Sequence, residues 1–232
     1  MTITFITGAN KGLGRETARR LIELGHTVLV GARDPERGAE AAAALGARFV
    51  PIDVSDDASV AAAAADVGKH EGVIDVLINN AGIPGPVGDP GTFSGTEALN
   101  VFDVNVIGAV RVTTAFLPLL RRSPDPVIVN VSSGMGSLAY THDPSRSESK
   151  VIAPLYTASK AALTMLTTQY AKALPDIRIN AADPGYTATD LTGHSGHQTV
   201  TEGTDAIVAL ATEKPGAGSG RFVDRHGEIA WS

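Results

Sequence analysis

The chain has 232 residues, with 25 Gly, 13 Pro and no Cys, and its 19 basic and 25 acidic side chains give a formal net charge of −6. This length suits one large domain and is short for two. The lack of cysteine excludes a disulfide-stapled secreted scaffold, and the mild negative charge offers no basic surface for nucleic acid or an anionic membrane. The N-terminal apolar stretch reaches Gly8 too soon for a signal peptide, and no apolar run of about 18 residues follows. We therefore expect a soluble protein of the cytoplasm.

Short apolar, β-branched runs alternate with helix-like stretches along the chain. The runs span residues 3–6, 27–30, 48–52, 73–78, 127–131, 177–181 and 222–223. Most are continuously apolar, as expected for parallel strands covered on both faces. Between them, helices are predicted around 18–22, over 36–45, and from an N-cap at Ser55 to about Lys69. The alternation predicts an α/β fold: one doubly wound domain over residues 1–232, with a mostly parallel seven-stranded sheet flanked by helices.

Segments without periodicity follow several of the predicted strands. Residues 83–95 are rich in Gly and Pro, and residues 134–154 contain the polar stretch THDPSRSESK. A third segment, residues 186–201, is short and polar. We predict that all three are loops beyond the carboxyl ends of strands, where open α/β sheets bind their ligands.

The first chemical signal is a glycine-rich loop between the first strand and the first helix, Thr7-Gly8-Ala9-Asn10-Lys11-Gly12-Leu13-Gly14. Glycine lets the backbone turn tightly and approach a pyrophosphate, which then lies at the positive end of the helix dipole. A structural turn without a ligand is the alternative. The loop predicts a dinucleotide site made by Gly8, Asn10, Lys11, Gly12, Leu13 and Gly14.

The second strand ends in Gly31-Ala32-Arg33-Asp34, where a dinucleotide-binding fold meets the adenosine ribose. A carboxylate at this strand end would select NAD, whereas an arginine fits a 2′-phosphate. Because Ala32 occupies the selecting position and Arg33 follows it, with Lys11 and Arg37 adding positive charge, we predict NADP(H). In the alternative, both arginines are solvated and Asp34 caps the next helix or binds the ribose.

Two further strand ends carry small or polar residues that suit close approach to adenine and ribose. Turn chemistry explains them equally well. The predicted cofactor contacts here are Asp53, Val54, Asn80, Ala81 and Gly82.

A third constellation combines Ser132-Ser133, after the fifth strand, with Tyr156 and Lys160 at the start of a helix. The spacing of four residues puts Tyr156 and Lys160 on one helical face, so an ammonium group can lie near a phenol. Together with the glycine loop, this pattern indicates an enzyme site.

These motifs resemble the short-chain dehydrogenase/reductase family, whose domain is a Rossmann fold, over essentially the whole chain. The shared motifs are TGANKGLG, Asp53-Val54, NNAG, Asn105 in VFDVNVIGA, NVSS, YTASK and DPGYTATDL. The segments GARDPERG and GRFVDRHGEIAW are most similar to NADPH-dependent carbonyl reductases. The resemblance implies a catalytic tetrad of Asn105, Ser133, Tyr156 and Lys160, with Ser133 preferred because the family's active serine is the second of the pair.

The resemblance also implies the role of each residue. Tyr156 would be the general acid in reduction and the base in oxidation, its pKa lowered by the ammonium group and by oxidised nicotinamide. Ser133 would donate a hydrogen bond to the substrate oxygen, Lys160 would hold the nicotinamide ribose, and Asn105 would order a water in a proton relay. Four further residues would lie near the nicotinamide: Pro184, Gly185, Thr187 and Thr189.

The predicted function is therefore an NADPH-dependent oxidoreductase that reduces a ketone or aldehyde to an alcohol. Two alternatives stay open: a cofactor-sensing regulatory protein on the same fold, and an alcohol dehydrogenase that prefers NAD. Ser133 and Tyr156 lie 23 residues apart, between the short spacing of most family members and the long insertion of the monomeric carbonyl reductases. The family's habit favours a homodimer or homotetramer, and the longer loop leaves a monomer open. His194 and His197 are interpreted as surface histidines, and no metal site is predicted.

Overall fold

One eight-stranded sheet runs through the centre of the protein, whose computed structural model describes residues 2–231. Its strands are β1 (Ile3–Thr7), β2 (Thr27–Ala32), β3 (Arg48–Pro51), β4 (Val76–Asn79), β5 (Val127–Val131), β6 (Arg178–Ala182), β7 (Phe222–Asp224) and β8 (Gly227–Glu228). The spatial order is β3-β2-β1-β4-β5-β6-β7-β8, and all neighbours are parallel except β7 and β8. The predicted doubly wound α/β fold is confirmed.

The count of seven strands was wrong by one. The eighth strand has only two residues, and it pairs antiparallel with β7 through Val223 opposite Glu228 and Asp224 opposite Gly227. Both of its residues are exposed. A two-residue strand without an apolar residue has no sequence periodicity, so only the backbone pairing shows it.

Nine helices occur within the described residues 2–231. They are α1 (Gly12–Glu23), α2 (Pro35–Leu45), α3 (Asp57–His70), α4 (Gly95–Phe102), α5 (Gly108–Leu120), α6 (Leu138–His142), α7 (Pro154–Ala173), α8 (Val200–Gly203) and α9 (Asp205–Thr212). The predicted N-cap of α3 at Ser55 was wrong by one residue, because the Asp56 side chain accepts the hydrogen bond from the backbone N–H of Ala58. An aspartate caps as well as a serine, so the sequence did not distinguish them.

The helices cover both faces of the sheet, and each face has its own apolar cluster. Ile6 of β1 packs in one cluster with residues of α1 and α9, including Leu21. Its neighbour Phe5 points to the opposite face and packs with residues of α3 and α5, including Phe116. Ile6 and Phe5 lie on opposite faces because successive side chains of a strand point to alternate sides of the sheet. Burial on both faces explains why these strands are apolar throughout.

Helices α4 and α5 are joined by a π-helical segment, Asp103–Ile107, into one helix over Gly95–Leu120. By length and mean hydropathy alone this helix could cross a membrane. Here Phe116 and Leu120 are fully buried in the core, and Arg111 forms ion pairs with Asp57 and Asp103. The helix therefore packs against one face of the sheet, as a helix of a protein core does.

The three segments predicted as loops contain short helical turns. These turns are Pro90–Thr92, Gly134–Gly136, Glu148–Lys150 and Asp190–Thr192, together with α6 and the start of α8. Side-chain caps hold several of them; Ser137, for example, accepts from the backbone N–H of Tyr140. The sequence predicted these loops but not the helical turns within them, because such short helices do not show apolar periodicity.

Strand β1 lies between β2 and β4, which is where the order of the sheet reverses. The connections after β1 and β4 leave in opposite directions, so a crevice opens at the carboxyl ends of these strands. The glycine loop, the segment after β4 and the loops after β5 and β6 all border this crevice.

Candidate active site

The glycine loop leads from β1 into α1 in a conformation that needs glycine. Gly8 and Gly12 have φ angles of +65° and +53°, in the left-handed region. Gly14 has no such angle but lacks room for a side chain, since a Cβ would lie 2.5 Å from Nδ2 of Asn80 and 2.6 Å from the Gly8 carbonyl oxygen. Helix α1 has no side-chain cap at its N-cap residue, Lys11. This uncapped N-terminus, next to a loop with glycine at positions 8, 12 and 14, fits a phosphate group.

Two polar side chains fix the loop in place. Asn80 donates through Nδ2 to the carbonyl oxygens of Thr7 at 2.8 Å and Gly8 at 3.1 Å. The Thr7 hydroxyl oxygen accepts from the backbone N–H groups of Asn80 at 3.0 Å and Ala81 at 3.1 Å. The side-chain amide of Asn80 thus holds the backbone of the glycine loop in place. The sequence pattern at the strand end did not predict this role.

A cavity of about 640 Å³ runs from the glycine loop to the start of α7. All but one of the predicted cofactor contacts line it. These lining residues are Gly8, Asn10, Lys11, Gly12, Leu13, Gly14, Arg33, Asp53, Val54, Asn80, Ala81, Gly82, Tyr156, Lys160, Pro184, Gly185, Thr187 and Thr189. The structure therefore brings these residues of distant strand ends into one groove.

Arg37 is the predicted contact that does not line the cavity. Its guanidinium group binds the carboxylate of Asp34 at 2.7 Å, and Asp34 also accepts from the backbone N–H of Arg37 at 3.0 Å. Asp34 is thereby the N-cap of α2, which was the alternative considered for this carboxylate. Arg33 is exposed on the cavity wall and forms no ion pair within residues 2–231. Of the two arginines, only Arg33 is placed to face a ligand.

The other charged groups at this end of the groove already have partners. Lys11 forms an ion pair with Asp190 at 2.7 Å. Asp53 accepts from the backbone N–H of Ser55 at 2.9 Å and from its hydroxyl group at 2.6 Å, and these bonds lower the pKa of the Asp53 carboxyl group. Arg33 contributes to that lowering by its charge.

Helix α7 presents Tyr156 and Lys160 to the cavity. Lys160 is only 4% exposed, and its Nζ atom donates to the carbonyl oxygen of Val131 at 2.8 Å. The same Nζ atom lies 5.6 Å from the centre of the Tyr156 ring. The predicted proximity of ammonium and phenol is present, as expected from side chains one helical turn apart.

Burial dominates the proton affinities of this pair. Loss of hydration raises the pKa of Tyr156 to about 12, although the neighbouring Ser133 hydroxyl group lowers it in part. The same loss lowers the pKa of Lys160 to about 8. The pKa of Tyr156 is thus raised in the protein without cofactor, whereas the sequence predicted a lowered pKa with oxidised nicotinamide bound. Burial of the phenol has a larger effect on this pKa than the Lys160 ammonium group has.

The two serines after β5 have different environments. The Ser132 hydroxyl group is buried and bonds to Oγ1 of Thr164 at 2.6 Å and to the carbonyl oxygen of Lys160 at 3.2 Å. Ser133 is half-buried, and its hydroxyl oxygen accepts from the backbone N–H of Met135 at 3.2 Å. Ser132 thus ties β5 to α7, which leaves Ser133 as the serine beside the Tyr156 phenol.

Asn105 lies in the π-helical segment and does not line the large cavity; it borders a small neighbouring cavity of about 10 Å³. Its side chain accepts from the backbone N–H of Ile83 at 2.8 Å, and donates to the Ile83 carbonyl oxygen at 2.9 Å and to the Ser159 hydroxyl oxygen at 3.0 Å. The side-chain amide is thus committed to joining the segment after β4 to α7. Its predicted role in ordering a water stays a prediction.

The loop after β6 is held by its own hydrogen bonds. Gly185 has a φ of +66°, and Thr187 donates through its hydroxyl group to the carbonyl oxygen of Pro184 at 2.9 Å. His194 faces Asp190 at 3.1 Å, and His197 lies against the Tyr186 ring. Within residues 2–231, no cluster of three or more His, Asp or Glu is arranged to hold a metal ion.

Sequence reasoning missed three acidic residues in the cavity wall, Asp183, Asp190 and Glu148. Asp183 directly precedes Pro184-Gly185, so an acidic residue at a predicted strand end was a signal that could have identified it. Glu148 lies in the polar segment after β5, where nothing in the sequence predicts its contacts.

Comparison with known proteins supplies the family. A model of the short chain dehydrogenase family matches residues 2–199. The chain belongs to this family. Its members are oxidoreductases of carbonyl and alcohol groups that bind a nicotinamide cofactor, and the resemblance predicted from the motifs is confirmed.

Among related short-chain dehydrogenases, "Short-chain dehydrogenase anuI" of Penicillium roqueforti is 37% identical, with 96% of this chain and 93% of that protein covered. The (-)-isopiperitenone reductase of Mentha piperita is 32% identical, with 97% and 96% covered. The solved structure of NADPH-bound carbonyl reductase from chicken fatty liver aligns over 100% of both chains, with a TM-score of 0.89 and 29% identity. The similarity therefore extends over the whole fold and includes the regions that border the cavity.

Proposed function

We propose that the protein is an NADPH-dependent reductase that converts a small ketone or aldehyde to an alcohol. The observation that carries the proposal is the common cavity, which has the glycine loop and Arg33 at one end and Ser133, Tyr156 and Lys160 at the other. A phosphate-binding end and a proton-donating end in one groove are what hydride transfer to a carbonyl group requires. The names of two relatives, a carbonyl reductase and an isopiperitenone reductase, support the direction of reaction.

The residues of the groove fit a dinucleotide phosphate. The Gly8–Gly14 loop and the uncapped N-terminus of α1 would hold the diphosphate through backbone N–H groups. Arg33 would hold the 2′-phosphate, since its guanidinium group is exposed on the wall of the cavity. When bound, this cofactor supplies the hydride.

The remaining chemistry belongs to the side chains at the other end. Tyr156 would donate its phenolic proton to the substrate oxygen, and Ser133 would donate a hydrogen bond to the same oxygen as negative charge develops. Because burial raises the pKa of Tyr156 to about 12, the phenol keeps its proton at neutral pH, as an acid for reduction must. The Lys160 ammonium group would stabilise the phenolate that remains.

The proposal is tested with purified protein, NADPH and a panel of structurally varied carbonyl compounds. We expect oxidation of NADPH with at least one compound, followed at its absorbance. Tyr156→Phe should lower kcat/KM by about 10³-fold, within the range for loss of a general acid, while NADPH affinity changes less than about 3-fold. Tyr170→Phe is the matched control, because Tyr170 lies on the same helix but packs against the core; its turnover should equal that of the wild type.

Two results would reject parts of this proposal. Near-normal turnover of Tyr156→Phe would exclude Tyr156 as the acid. Tight binding of NADPH by the wild type without turnover on any carbonyl compound would instead favour a cofactor-sensing regulatory protein on the same fold.

A further inference from the structure

Large apolar side chains in the wall of the cavity are exposed to solvent. Val87, in the segment after β4, is 97% exposed, and Ile152, two residues before α7, is 82% exposed. Both line the cavity. Further apolar lining residues include Pro84, Pro86, Met135, Tyr186 and Leu191. Exposed apolar groups that line one cavity indicate a site for an apolar ligand, since binding there removes apolar surface from water.

This apolar wall begins beside the proposed catalytic residues. Ile152 lies four residues before Tyr156 in the chain. The segment that carries Val87 leaves β4 next to Lys160, since an added Cβ at Gly82 would lie 3.6 Å from the lysine Nζ atom. The apolar wall therefore borders the end of the cavity where the proposed reaction takes place.

The positive charges of the cavity wall lie away from this end or are buried. Within residues 2–231, three basic side chains line the cavity, namely Lys11, Arg33 and Lys160. Lys11 belongs to the glycine loop and Arg33 follows β2, so both lie at the phosphate end. Lys160 is buried and donates to the carbonyl oxygen of Val131 at 2.8 Å. An anionic group of a substrate would therefore meet no exposed cation beside Tyr156.

The acidic side chain at this end is already paired. Glu148 lines the cavity, and its carboxylate accepts from Nη2 and Nε of Arg146 at 3.0 and 3.3 Å and from the Ser147 hydroxyl group at 3.2 Å. The Cζ atom of Arg146 also lies 3.3 Å from the centre of the Tyr140 ring. The guanidinium group is thus held between a carboxylate and an aromatic ring, and neither member of the ion pair is free to bind an ionic substrate.

We propose that the substrate is an uncharged, apolar carbonyl compound, and that Val87 and Ile152 are specificity-determining residues that pack against its hydrocarbon part. The inference rests on the proposed function, because it places the carbonyl group at Tyr156 and Ser133. Packing of a hydrocarbon chain against the apolar wall removes apolar surface of both partners from water. A carboxylate on the same skeleton would lose hydration without gaining a cation, so an acid of similar shape is a poor substrate.

Matched pairs of compounds test the dependence on substrate charge. Each pair is an acid and its methyl ester on one of three skeletons: 7-oxooctanoate, a methyl ketone; 8-oxooctanoate, an aldehyde; and 4-oxocyclohexanecarboxylate, a cyclic ketone. Oxidation of NADPH should give a kcat/KM for the ester that is at least about 30-fold above that for the acid. Equal or faster reduction of the acids overturns the proposal.

A variant at Ile152 tests the apolar wall. Ile152→Ser should raise the KM for the esters about 3- to 10-fold and change kcat by less than about 2-fold, because it removes apolar contact with the substrate and leaves Tyr156 in place. Ile152→Leu should restore the KM, and Val87→Ser should raise it as Ile152→Ser does. Val151→Ser is the matched control, since Val151 is an exposed apolar neighbour that does not line the cavity. An equal KM for Ile152→Ser and Val151→Ser would reject Ile152 as a specificity-determining residue.

A binding measurement separates this inference from the proposed function. Saturation-transfer NMR with NADP⁺ present detects binding of the same esters and acids without turnover, and Ile152→Ser should weaken the signal of the esters. Esters that bind while the acids do not, in a protein that reduces none of the compounds, would overturn the proposed function and leave the ligand class standing. Reduction of acids as readily as esters would overturn the ligand class and leave the proposed function standing. Failure of every ester to bind would overturn the inference.

Discussion

The Nζ atom of Lys11 lies 2.7 Å from Oδ2 of Asp190, and this ion pair joins the glycine loop to the loop after β6. Both residues line the cavity, so the pair crosses the groove at its cofactor end. The lysine that was expected to add positive charge for a phosphate is therefore neutralised by a carboxylate. Each side chain is more than half exposed, with values of 57% and 56%, so the pair contributes little to stability.

Removal of the Asp190 charge should strengthen cofactor binding. In Asp190→Asn, Lys11 is released and an anion is removed from the phosphate end of the groove, so we expect the Kd for NADPH to fall about 3-fold at low salt, and less at high salt. Fluorescence titration at two ionic strengths measures this. Asp176→Asn, which breaks an exposed ion pair with Arg121 outside the cavity lining, is the control. Weaker binding in Asp190→Asn would mean that the ion pair holds the groove in its binding conformation.

Cofactor preference should depend on Arg33 and not on Arg37. Arg33→Ala removes a charge-assisted contact to a 2′-phosphate, so the Kd for NADPH should rise about 10- to 100-fold while the Kd for NADH stays the same. Arg37→Ala is the matched control, because Arg37 is paired with Asp34 away from the cavity. Titration with both cofactors tests this. An equal loss in the two variants would contradict the assignment, and an NADH preference in the wild type would favour the alternative of an NAD-dependent alcohol dehydrogenase.

Asn105 should contribute strongly to stability. It is 1% exposed and makes three hydrogen bonds, two with Ile83 and one with Ser159. Asn105→Ala leaves buried partners unsatisfied, so the free energy of unfolding should fall by about 2–4 kcal/mol in urea denaturation. Asn100→Ala, at an exposed position on the same continuous helix, should change it by less than about 0.5 kcal/mol. Similar decreases in the free energy of unfolding of the two variants would show that the hydrogen bonds of Asn105 with Ile83 and Ser159 do not stabilise the fold.

Gly14 and Gly68 should respond differently to alanine. A Cβ at Gly14 would overlap Asn80 and the Gly8 carbonyl group, so Gly14→Ala should distort the glycine loop and weaken NADPH binding by at least about 10-fold. Gly68 lies inside α3, where a Cβ meets only a Leu119 methyl group at 3.5 Å. Gly68→Ala should bind NADPH normally and be more stable by about 0.5–1 kcal/mol. Binding titration and thermal unfolding of both variants test this. Normal NADPH binding by Gly14→Ala would contradict the assignment of the glycine loop as the phosphate site.

Lys160 and Tyr156 should give the protein a defined dependence of stability on pH. Burial lowers the pKa of Lys160 from 10.5 to about 8, so between these values the unfolded chain binds the extra proton and the free energy of unfolding rises with pH. Burial raises the pKa of Tyr156 from 10.0 to about 12, so in that interval the folded protein keeps a proton that the unfolded chain loses, and stability falls. The free energy of unfolding that is linked to Lys160 is therefore lost as the pH falls from 10.5 to about 8. The part that is linked to Tyr156 is lost as the pH rises from 10.0 to about 12.

The variant Lys160→Met isolates the first of these effects. Urea denaturation from pH 8 to 10.5 should show a rise of about 3 kcal/mol in the wild type that is missing in Lys160→Met. Lys172→Met, at an exposed position on α7, should behave like the wild type. Parallel curves for the wild type and Lys160→Met would mean that Lys160 keeps its proton in the folded protein.

Local spacing determined much of this protein from the sequence alone. Continuous apolar runs predicted β1 to β7 because a strand buried on both faces excludes polar residues. The glycine spacing predicted the loop before α1, since few other residues adopt positive φ angles, and the four-residue spacing predicted that Tyr156 and Lys160 share a helical face. These features depend on residues close together in the chain.

The tertiary structure alone decided which polar groups meet across long separations. The sequence does not show that Asp34 takes Arg37 and leaves Arg33 facing the groove, that Asp190 pairs with Lys11, or that the segment after α6 brings Glu148 to Asp183. Such contacts depend on how loops from different strands pack, and a single charged residue in a loop has several partners of equal chemistry. Only the packed structure chooses among them, because it decides which of these partners lie within hydrogen-bonding distance.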